Sequence, residues 1–292
     1  MTGVQANTLA GSQQRRVPPV GSVVGAFATS HVLGPSRGVN SQAHVVLEGF
    51  AQLRRSIRAL KPDLVILVSS EHGPTLPPSG PQPPFAIAVT DSFWTYGEMH
   101  IPRREVPSNR DFAGEFIRYA GGEGFDIASI GNFRADHGIA IPALMMLPEL
   151  DVAVVPLIVG TQSSYSRAAP TRCYQLGRVL ARYAASRDQR VIIVGCGGLS
   201  HWPGSSQMGR INLDFDREFL ALMSAGDAGY AASWSNDHIV EHAGNGGLEI
   251  RNWLVAAAAV GDPGGEILYY EPIRPWVTGM GAFAFTSPAH AD

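Results

Sequence analysis

Four of the nine histidines share one kind of position in the sequence, close behind a run of apolar residues: His31, His72, His137 and His201. The run "DLVILVSS" (63–70), for example, ends two residues before His72. Apolar, β-branched runs of this length are typical of strands that are buried on both faces. Because the carboxyl ends of parallel strands meet at one edge of a sheet, we expect these four imidazoles to converge.

Neutral imidazoles that meet at one point can hold a divalent metal ion, since imidazole suits iron, zinc, copper and nickel. Most such sites also include a carboxylate, and Glu249 in "NGGLEIRNW" is the best candidate. It opens an apolar helical stretch, where a buried carboxylate needs a partner. The alternative interpretation of Glu249 is a first-turn glutamate that the helix dipole favours.

Two histidines and one carboxylate, with further positions left open, describe the facial triad of non-haem Fe(II) oxygenases. The same set could hold zinc with a bound water and catalyse hydrolysis. Ligand types alone do not separate the two. The sequence contains no GxxxxGK[ST] phosphate loop and no HExxH pair.

The composition narrows the class of protein. Of the 292 residues, 45% are hydrophobic and 16% are charged, and the net charge is −3 without a basic block. A nucleic-acid or anionic membrane surface is therefore not expected as the main partner. No apolar run reaches the roughly 18 residues of a membrane span. Cys173 and Cys196 lack CxxC spacing, so we expect no disulfide framework and a reducing cytoplasm.

Strand-like and helix-like segments alternate along the chain, which predicts an α/β fold: a single domain with a central, mostly parallel sheet flanked by helices. The predicted strands are 22–28, 63–70, 85–89, 125–130, 152–159 and 190–197, and the predicted helices are 41–60, 109–120, 172–186, 212–223 and 248–260. Residues 1–18 read as a flexible tail and 19–292 as one catalytic domain. The irregular segment 90–109 has the character of a loop that covers a site.

The other histidines carry weaker signals. His44 falls within a predicted helix and His290 in the C-terminal tail, so both are expected to be structural or solvated. His100 lies in a loop. His238 and His242 have i,i+4 spacing, but their surroundings are so polar that a solvated face is the better interpretation.

The motifs "ATSH" (28–31), "SSEHG" (69–73), "DHGIAIP" (136–142), "GGLSHWPG" (197–204) and "NGGLEIRNW" (245–253) occur in this order. Together they resemble the class III extradiol ring-cleavage dioxygenases, and in particular the catalytic β subunit of protocatechuate 4,5-dioxygenase. The resemblance extends over about residues 22 to 285. It implies a single α/β domain that assembles into a homo-oligomer.

Carried over to this sequence, the resemblance implies that His31, His72 and Glu249 bind Fe(II). It implies that His201 is the acid/base beside the metal and that His137 helps to bind substrate or to transfer protons. The implied reaction is the ring cleavage of a catecholic substrate of the protocatechuate, gallate or substituted catechol type. Both atoms of O2 enter the product, a ring-opened semialdehyde or an equivalent acid.

Two departures from the family pattern bear on the substrate rather than on the metal. Members commonly have proline two positions after the first ligand, where this chain has Leu33, and aspartate before the second, where it has Glu71. Alternative substrates are 2-aminophenols, because an amino group can replace one chelating hydroxyl. Less favoured alternatives to the dioxygenase are a zinc-dependent hydrolase and a non-catalytic partner subunit. A substrate carboxylate could be received by Arg134, Arg251 or Arg274. A small α-type subunit is either supplied by another chain or not required.

Overall fold

An eight-stranded sheet forms the centre of the protein in the computed structural model, which describes residues 22–73, 75–77, 79–161 and 163–285. The strands are β1 Ser22–Thr29, β2 Leu64–Ser69, β3 Phe85–Ala88, β4 Ser92–Thr95, β5 Glu105–Pro107, β6 Ala128–Ile130, β7 Arg134–Ala135, β8 Ala153–Val159, β9 Arg190–Cys196, β10 Gly265–Ile273 and β11 Thr278–Phe285. The large sheet has the order β10-β11-β1-β9-β2-β8-β3-β6. A small second sheet has the order β5-β4-β7. The predicted tail, 1–18, lies outside the described residues.

Helices cover the large sheet. They are α1 Asn40–Ala59, α2 Arg110–Gly122, α3 His137–Met146, α4 Pro170–Ala185, α5 Leu213–Ala225, α6 Ala228–Ala231, α7 Asn236–Ala243 and α8 Ile250–Ala259. Short 3-10 turns span Gly246–Glu249 and Arg274–Trp276. The predicted fold class, one α/β domain with helices around a central sheet, is confirmed.

The centre of the sheet is parallel. Strands β1, β9, β2 and β8 run in one direction, and β3 pairs in parallel with β6. The register aligns Thr29 of β1 with Cys196 of β9, and Val68 of β2 with Gly195 of β9. The carboxyl ends of β1, β9 and β2 are therefore level, and the loops that follow them start from the same edge.

Strand β2 shows why the centre is apolar on both faces. Its residues alternate between two core clusters, with Ile66 facing α4 and α8 and Leu67 facing α1. Helix α1 contributes Phe50 and Leu53 to the second cluster, at the spacing that the sequence predicts. A strand enclosed in this way has little freedom to shift, which fixes the starting point of the loop that carries His72.

The last two strands of the chain were not predicted. Strands β10 and β11 form an antiparallel hairpin that pairs with β1, and their sequences contain proline and glycine, which weaken a strand pattern. Helix α3 contains Pro142, which cannot donate to the carbonyl of Gly138. The Ser69 hydroxyl donates to that carbonyl instead, at 2.9 Å. The end of β2 thus repairs the hydrogen bond that the proline removes.

Two further features concern the helices and the cysteines. None of the helices in the described ranges is long and apolar enough to cross a membrane. Cys173 and Cys196 are both buried and free, as expected of a chain without a disulfide framework.

Candidate active site

The four strand-end histidines and Glu249 come together at the carboxyl edge of the parallel strands. His31 follows β1, His72 follows β2 and His201 follows β9, while His137 is the first residue of α3. Glu249 ends the 3-10 turn that leads into α8. All five line one cavity of about 500 Å³. The convergence that the sequence predicts is therefore present.

The Glu249 carboxylate lies at the centre of this cluster. Its Oε1 atom is 3.5 Å from Nε2 of His31 and 3.0 Å from Nε2 of His72. Its Oε2 atom accepts a hydrogen bond from the Gly198 amide at 2.7 Å and lies 3.9 Å from Nε2 of His201. Because Glu249 is 4% exposed and His31 is 1% exposed, these contacts are shielded from bulk water. Glu249 is also an acidic residue of the first turn, as the alternative interpretation has it, so this position and the contacts with the histidines occur together.

The donor set fits a divalent metal ion. The Nδ1 atom of His31 is buried and has no hydrogen-bond partner within the described part of the protein. His31, His72 and His137 can each offer one ring nitrogen so that all three atoms lie within 4.8 Å of one another. The Glu249 carboxylate contacts the first two of these imidazoles, so nitrogen and oxygen donors of the kind that iron and zinc accept are combined.

Two carboxylates behind the histidines hold their rings in place. Asp136 accepts hydrogen bonds from the backbone amide of His72 and, at 3.1 Å, from its Nδ1. Glu98 accepts from the backbone amide of His137 at 2.7 Å and lies 2.8 Å from its Nδ1. Partners of this kind fix the ring orientation and the tautomer of an imidazole, so Nε2 of each ring is directed away from its carboxylate.

A role for Glu98 was not predicted from the sequence. The residue lies in the irregular segment 90–109, which was expected to cover a site, so the segment was indicated but the residue was not. Asp136 stood next to an active-site histidine without an assigned role. The structure gives it two, since its other carboxylate oxygen accepts from Gly138 N–H at 2.8 Å and caps α3.

His201 has a different kind of partner. Its Nδ1 lies 2.8 Å from the carbonyl oxygen of Leu199. Because a carbonyl only accepts, Nδ1 carries a proton in this contact, and Nε2 is the nitrogen that has the lone pair in the neutral imidazole. The start of β11 holds the same loop, since Leu199 N–H donates to the carbonyl of Gly279 at 3.0 Å. The unpredicted C-terminal hairpin therefore positions an active-site histidine.

Burial and charge shift the proton affinities of the cluster in opposite directions. Burial lowers the pKa of His31, which favours the neutral imidazole that a metal requires, although Glu249 opposes the shift. Burial also acts to lower the pKa of His72, but its hydrogen bonds to Asp136 and Glu249 outweigh burial and raise it well above the usual value. The pKa of Glu249 lies well below its usual range, because the contacts with His31 and His72 outweigh burial.

Glu71 has a structural role. Its carboxylate accepts hydrogen bonds from the backbone amides of Gly73, Thr75 and Leu76 at 2.7 to 3.0 Å. Burial raises the pKa of Glu71 despite these bonds. The longer glutamate side chain thus closes the turn that follows His72, at the position where the family commonly has aspartate.

The three arginines suggested for substrate binding lie elsewhere. Arg251 is fully buried and donates to main-chain carbonyls. Arg134 is exposed, with its guanidinium 5.0 Å from the centre of the Tyr96 ring, and Arg274 is exposed in a 3-10 turn. Arg167 is the only arginine among the described residues that line the cavity, and its position there was not predicted from the sequence.

The remaining histidines lie outside this cavity, as far as the chain is described. His44 and His100 are exposed. His238 and His242 lie half-buried on α7 with ring centres 4.3 Å apart, and the His238 ring packs 5.4 Å from that of Trp234. The solvated face predicted for this pair is only half exposed. His290 lies outside the described residues.

Comparison with known proteins identifies the family of this chain. Residues 25–281 match the family described as the catalytic LigB subunit of aromatic ring-opening dioxygenase. The chain belongs to this family. The prediction of an extradiol ring-cleavage dioxygenase is confirmed by this match and by the relatives.

Several curated relatives carry one name, 2,3-dihydroxyphenylpropionate/2,3-dihydroxicinnamic acid 1,2-dioxygenase. The Rhodococcus sp protein is 27% identical over 310 residues, which cover 87% of this chain and 95% of the relative. The Azotobacter vinelandii protein is 28% identical over 299 residues, covering 85% and 94%. A crystal structure of an uncharacterized Escherichia coli K12 protein covers 90% of this chain and 100% of its own, with a TM-score of 0.61 and 14% identity. That last likeness concerns the fold alone.

Proposed function

We propose that this protein is an Fe(II)-dependent extradiol dioxygenase in which His31, His72 and Glu249 hold the metal. The observation that supports the proposal is the contact of one buried carboxylate oxygen with Nε2 of both histidines, in a cavity that two further histidines line. Bound iron would supply a site that brings a catechol and O2 together. The substrate is an aromatic diol, and the dihydroxyphenylpropionate named for the relatives belongs to this class.

His201 is the base of the proposed reaction. Its Nδ1 donates to the Leu199 carbonyl, so Nε2 faces the cavity with a free lone pair and can take a proton from a substrate hydroxyl. The carbonyl partner of Nδ1 fixes the orientation of the ring. Because this partner carries no charge, it does not hold the proton that Nε2 takes from the substrate. His201 can therefore return the proton later in the reaction.

His137 is suited to the complementary role of acid. Its Nδ1 lies 2.8 Å from the Glu98 carboxylate, which orients the ring, and its side chain lines the cavity. The ring stacks on that of His72, with centres 4.3 Å apart, so it lies directly beside a proposed metal ligand. Two histidines with different partners can thus divide proton removal and proton donation between them.

Reconstitution of the anaerobic protein with Fe(II) tests the proposal. The protein would be mixed with protocatechuate, gallate, 2,3-dihydroxyphenylpropionate, other substituted catechols and 2-aminophenols, and oxygen uptake and the yellow ring-opened product would be followed. We expect oxygen uptake with a catechol. No uptake with any of these compounds would refute the dioxygenase proposal. Metal analysis after anaerobic purification separates it from a zinc hydrolase, because iron rather than zinc should accompany activity.

Variants test the roles of the individual residues. His201→Ala should keep iron and lose about 10²- to 10⁴-fold in turnover, the usual contribution of general acid/base catalysis. His31→Ala, His72→Ala and Glu249→Ala should lose iron as well as turnover. A His201→Ala protein with near-normal turnover would contradict the assigned role, and iron-loaded His31→Ala would contradict the ligand set.

Assembly is the last part of the proposal. We infer that the chain forms a homo-oligomer in the cytoplasm, as the family resemblance implies, and that a small α-type subunit is either supplied by another chain or not required. Activity of the purified chain alone would show that no second subunit is required, and activity only after one is added would show the opposite. A monomer in sedimentation analysis would contradict the homo-oligomer.

A further inference from the structure

Arg167 is the arginine of the active-site cavity, and it lies on the loop that follows strand β8. Its Nε atom donates to the carbonyl of Thr161 at 3.0 Å, which fixes the start of the guanidinium group. Thr161 and Arg167 line the same cavity as His31, His201 and Glu249. Since β8 is parallel to β2, its following loop rises from the same edge of the sheet as His72.

Arg251 holds this loop in position. Its guanidinium, fully buried at the start of α8, donates to the carbonyl of Gly160 at 3.0 Å and to that of Ala168 at 2.7 Å. These two carbonyls are at the two ends of the segment that contains Arg167. The segment is therefore tied at both ends to the helix that begins directly after Glu249. Arg167 is presented to the cavity by a supported loop, as a positioned binding residue requires.

The Arg167 side chain is half-buried, and it takes part in none of the ion pairs found among the described residues. Desolvation lowers its pKa, and Asp237, too distant for an ion pair, acts in the opposite direction. A partly desolvated cation without a carboxylate partner costs free energy that an anion in the cavity would recover. The guanidinium fork matches a carboxylate in particular.

The shape and lining of the cavity suit such a ligand. Its volume of about 500 Å³ lies in the range of small-molecule sites. Apolar side chains lie on its walls beside the histidines: Val32, Met99, Pro203 and Val277. An aromatic ring can pack against these groups while its two hydroxyls face the histidine cluster. We propose that Arg167 binds a carboxylate on the substituent of the aromatic diol, so that the enzyme selects anionic catechols. This inference rests on the ring-cleavage function proposed above.

A comparison of charged and uncharged catechols tests the role of Arg167. Fe(II)-loaded wild type would be assayed with 2,3-dihydroxyphenylpropionate and with 3-propylcatechol, which has a similar size but no carboxylate. The measured quantity is the ratio of the two kcat/KM values. In Arg167→Gln we expect this ratio to fall about 10- to 100-fold, the usual effect of losing a charge-assisted hydrogen bond. Arg167→Lys should retain part of the preference because it keeps the charge.

Two controls make the result specific. Arg178→Gln removes the same charge from an exposed position on α4, outside the cavity, and should leave the ratio unchanged. Arg167→Glu should reverse the preference, so that a catechol with an aminoalkyl substituent is used better than the carboxylate. Anaerobic calorimetric titration of the iron-loaded proteins gives a second readout, in which Arg167→Gln should raise the Kd of the carboxylated catechol more than that of 3-propylcatechol.

The outcomes separate this inference from the proposed function. Turnover of catechols by wild type, with the same ratio in Arg167→Gln, would overturn the role of Arg167 and leave the dioxygenase proposal standing. A wild type without preference for the carboxylated catechol would overturn it as well. Failure of wild type to consume oxygen with any catechol would overturn the proposed function, and this inference with it.

Discussion

Replacement of Asp136 by alanine should weaken metal binding although all proposed metal ligands are kept. Asp136 is 1% exposed, and its carboxylate accepts three hydrogen bonds. One comes from Gly138 and caps α3, and two come from His72. The Asp136→Ala protein loses both functions at once, so the two losses have to be measured separately.

The magnitudes follow from the contacts. An N-cap side chain contributes about 1 kcal/mol to the free energy of unfolding. A hydrogen bond between His72 and an ionised acceptor contributes about 1.5 to 3 kcal/mol. Loss of the partner that orients a ligating histidine lowers metal affinity by about 10- to 100-fold. We therefore expect a clear fall both in stability and in affinity for Fe(II).

Asn109→Ala is the matched control. Asn109 caps α2 by accepting from Phe112 N–H at 2.9 Å, and it does not line the active-site cavity. This variant should lose about 1 kcal/mol of unfolding free energy and keep the affinity for Fe(II). Urea unfolding measures the first quantity, and anaerobic competition with a chelator measures the second. Wild-type Fe(II) affinity in Asp136→Ala would refute the idea that Asp136 positions His72 for the metal.

Two further predictions concern the other active-site histidines. A Cβ atom at Gly246 would lie 2.2 Å from Nε2 of His201, so Gly246→Ala should displace that ring and reduce kcat by at least about 10²-fold while iron content is kept. Gly121→Ala is the control, because the added Cβ atom on helix α2 meets nothing within 4 Å, and it should stabilise the protein by about 0.5 to 1 kcal/mol. Equal activity of Gly246→Ala and Gly121→Ala would contradict the steric reasoning. The hydrogen bond from His137 lowers the pKa of Glu98 in the folded protein. The Glu98 carboxylate therefore stabilises the fold at pH values above its unfolded pKa of about 4.3. This contribution is lost as the pH falls through the lower pKa of the folded protein. Glu98→Gln should weaken the dependence of unfolding free energy on pH in this acidic range, and an unchanged acid profile in urea titrations would argue against the contact.

The central part of the fold was predictable because its signals are local. The run that ends before His72 is buried on both faces as strand β2, and the predicted 41–60 helix matches α1 to within one residue at each end. The hairpin of β10 and β11 was missed because proline and glycine interrupt its pattern, while pairing with β1 supplies the stability that its sequence does not indicate.

The residues of the candidate site can also be divided into those that were predictable from the sequence and those that were not. His31, His72 and His201 were found because each follows a strand, and chain order indicates where strand ends meet. Glu98 follows no such rule, since it lies in an irregular segment whose path depends on tertiary contacts. Arg167 does lie on the loop after β8, but further from the end of its strand than these three histidines are from theirs, so its position in the cavity was not predicted. Arg251 was misjudged for a related reason. Its charge suggested a ligand contact, whereas the carbonyls that surround it become neighbours only in the folded chain.

The anchoring of the β8 loop by Arg251 has a consequence for how substrate preference can evolve. Arg251 contacts this loop through main-chain carbonyls, so replacing the loop side chains leaves the anchor intact. Mutations at Arg167 and its neighbours can then alter which diols are accepted while the path of the loop persists. Because the anchor is on α8, two residues after Glu249, the variable surface and the chemical centre keep a constant separation. The architecture thus separates a part of the chain that can diversify from a part that must stay fixed.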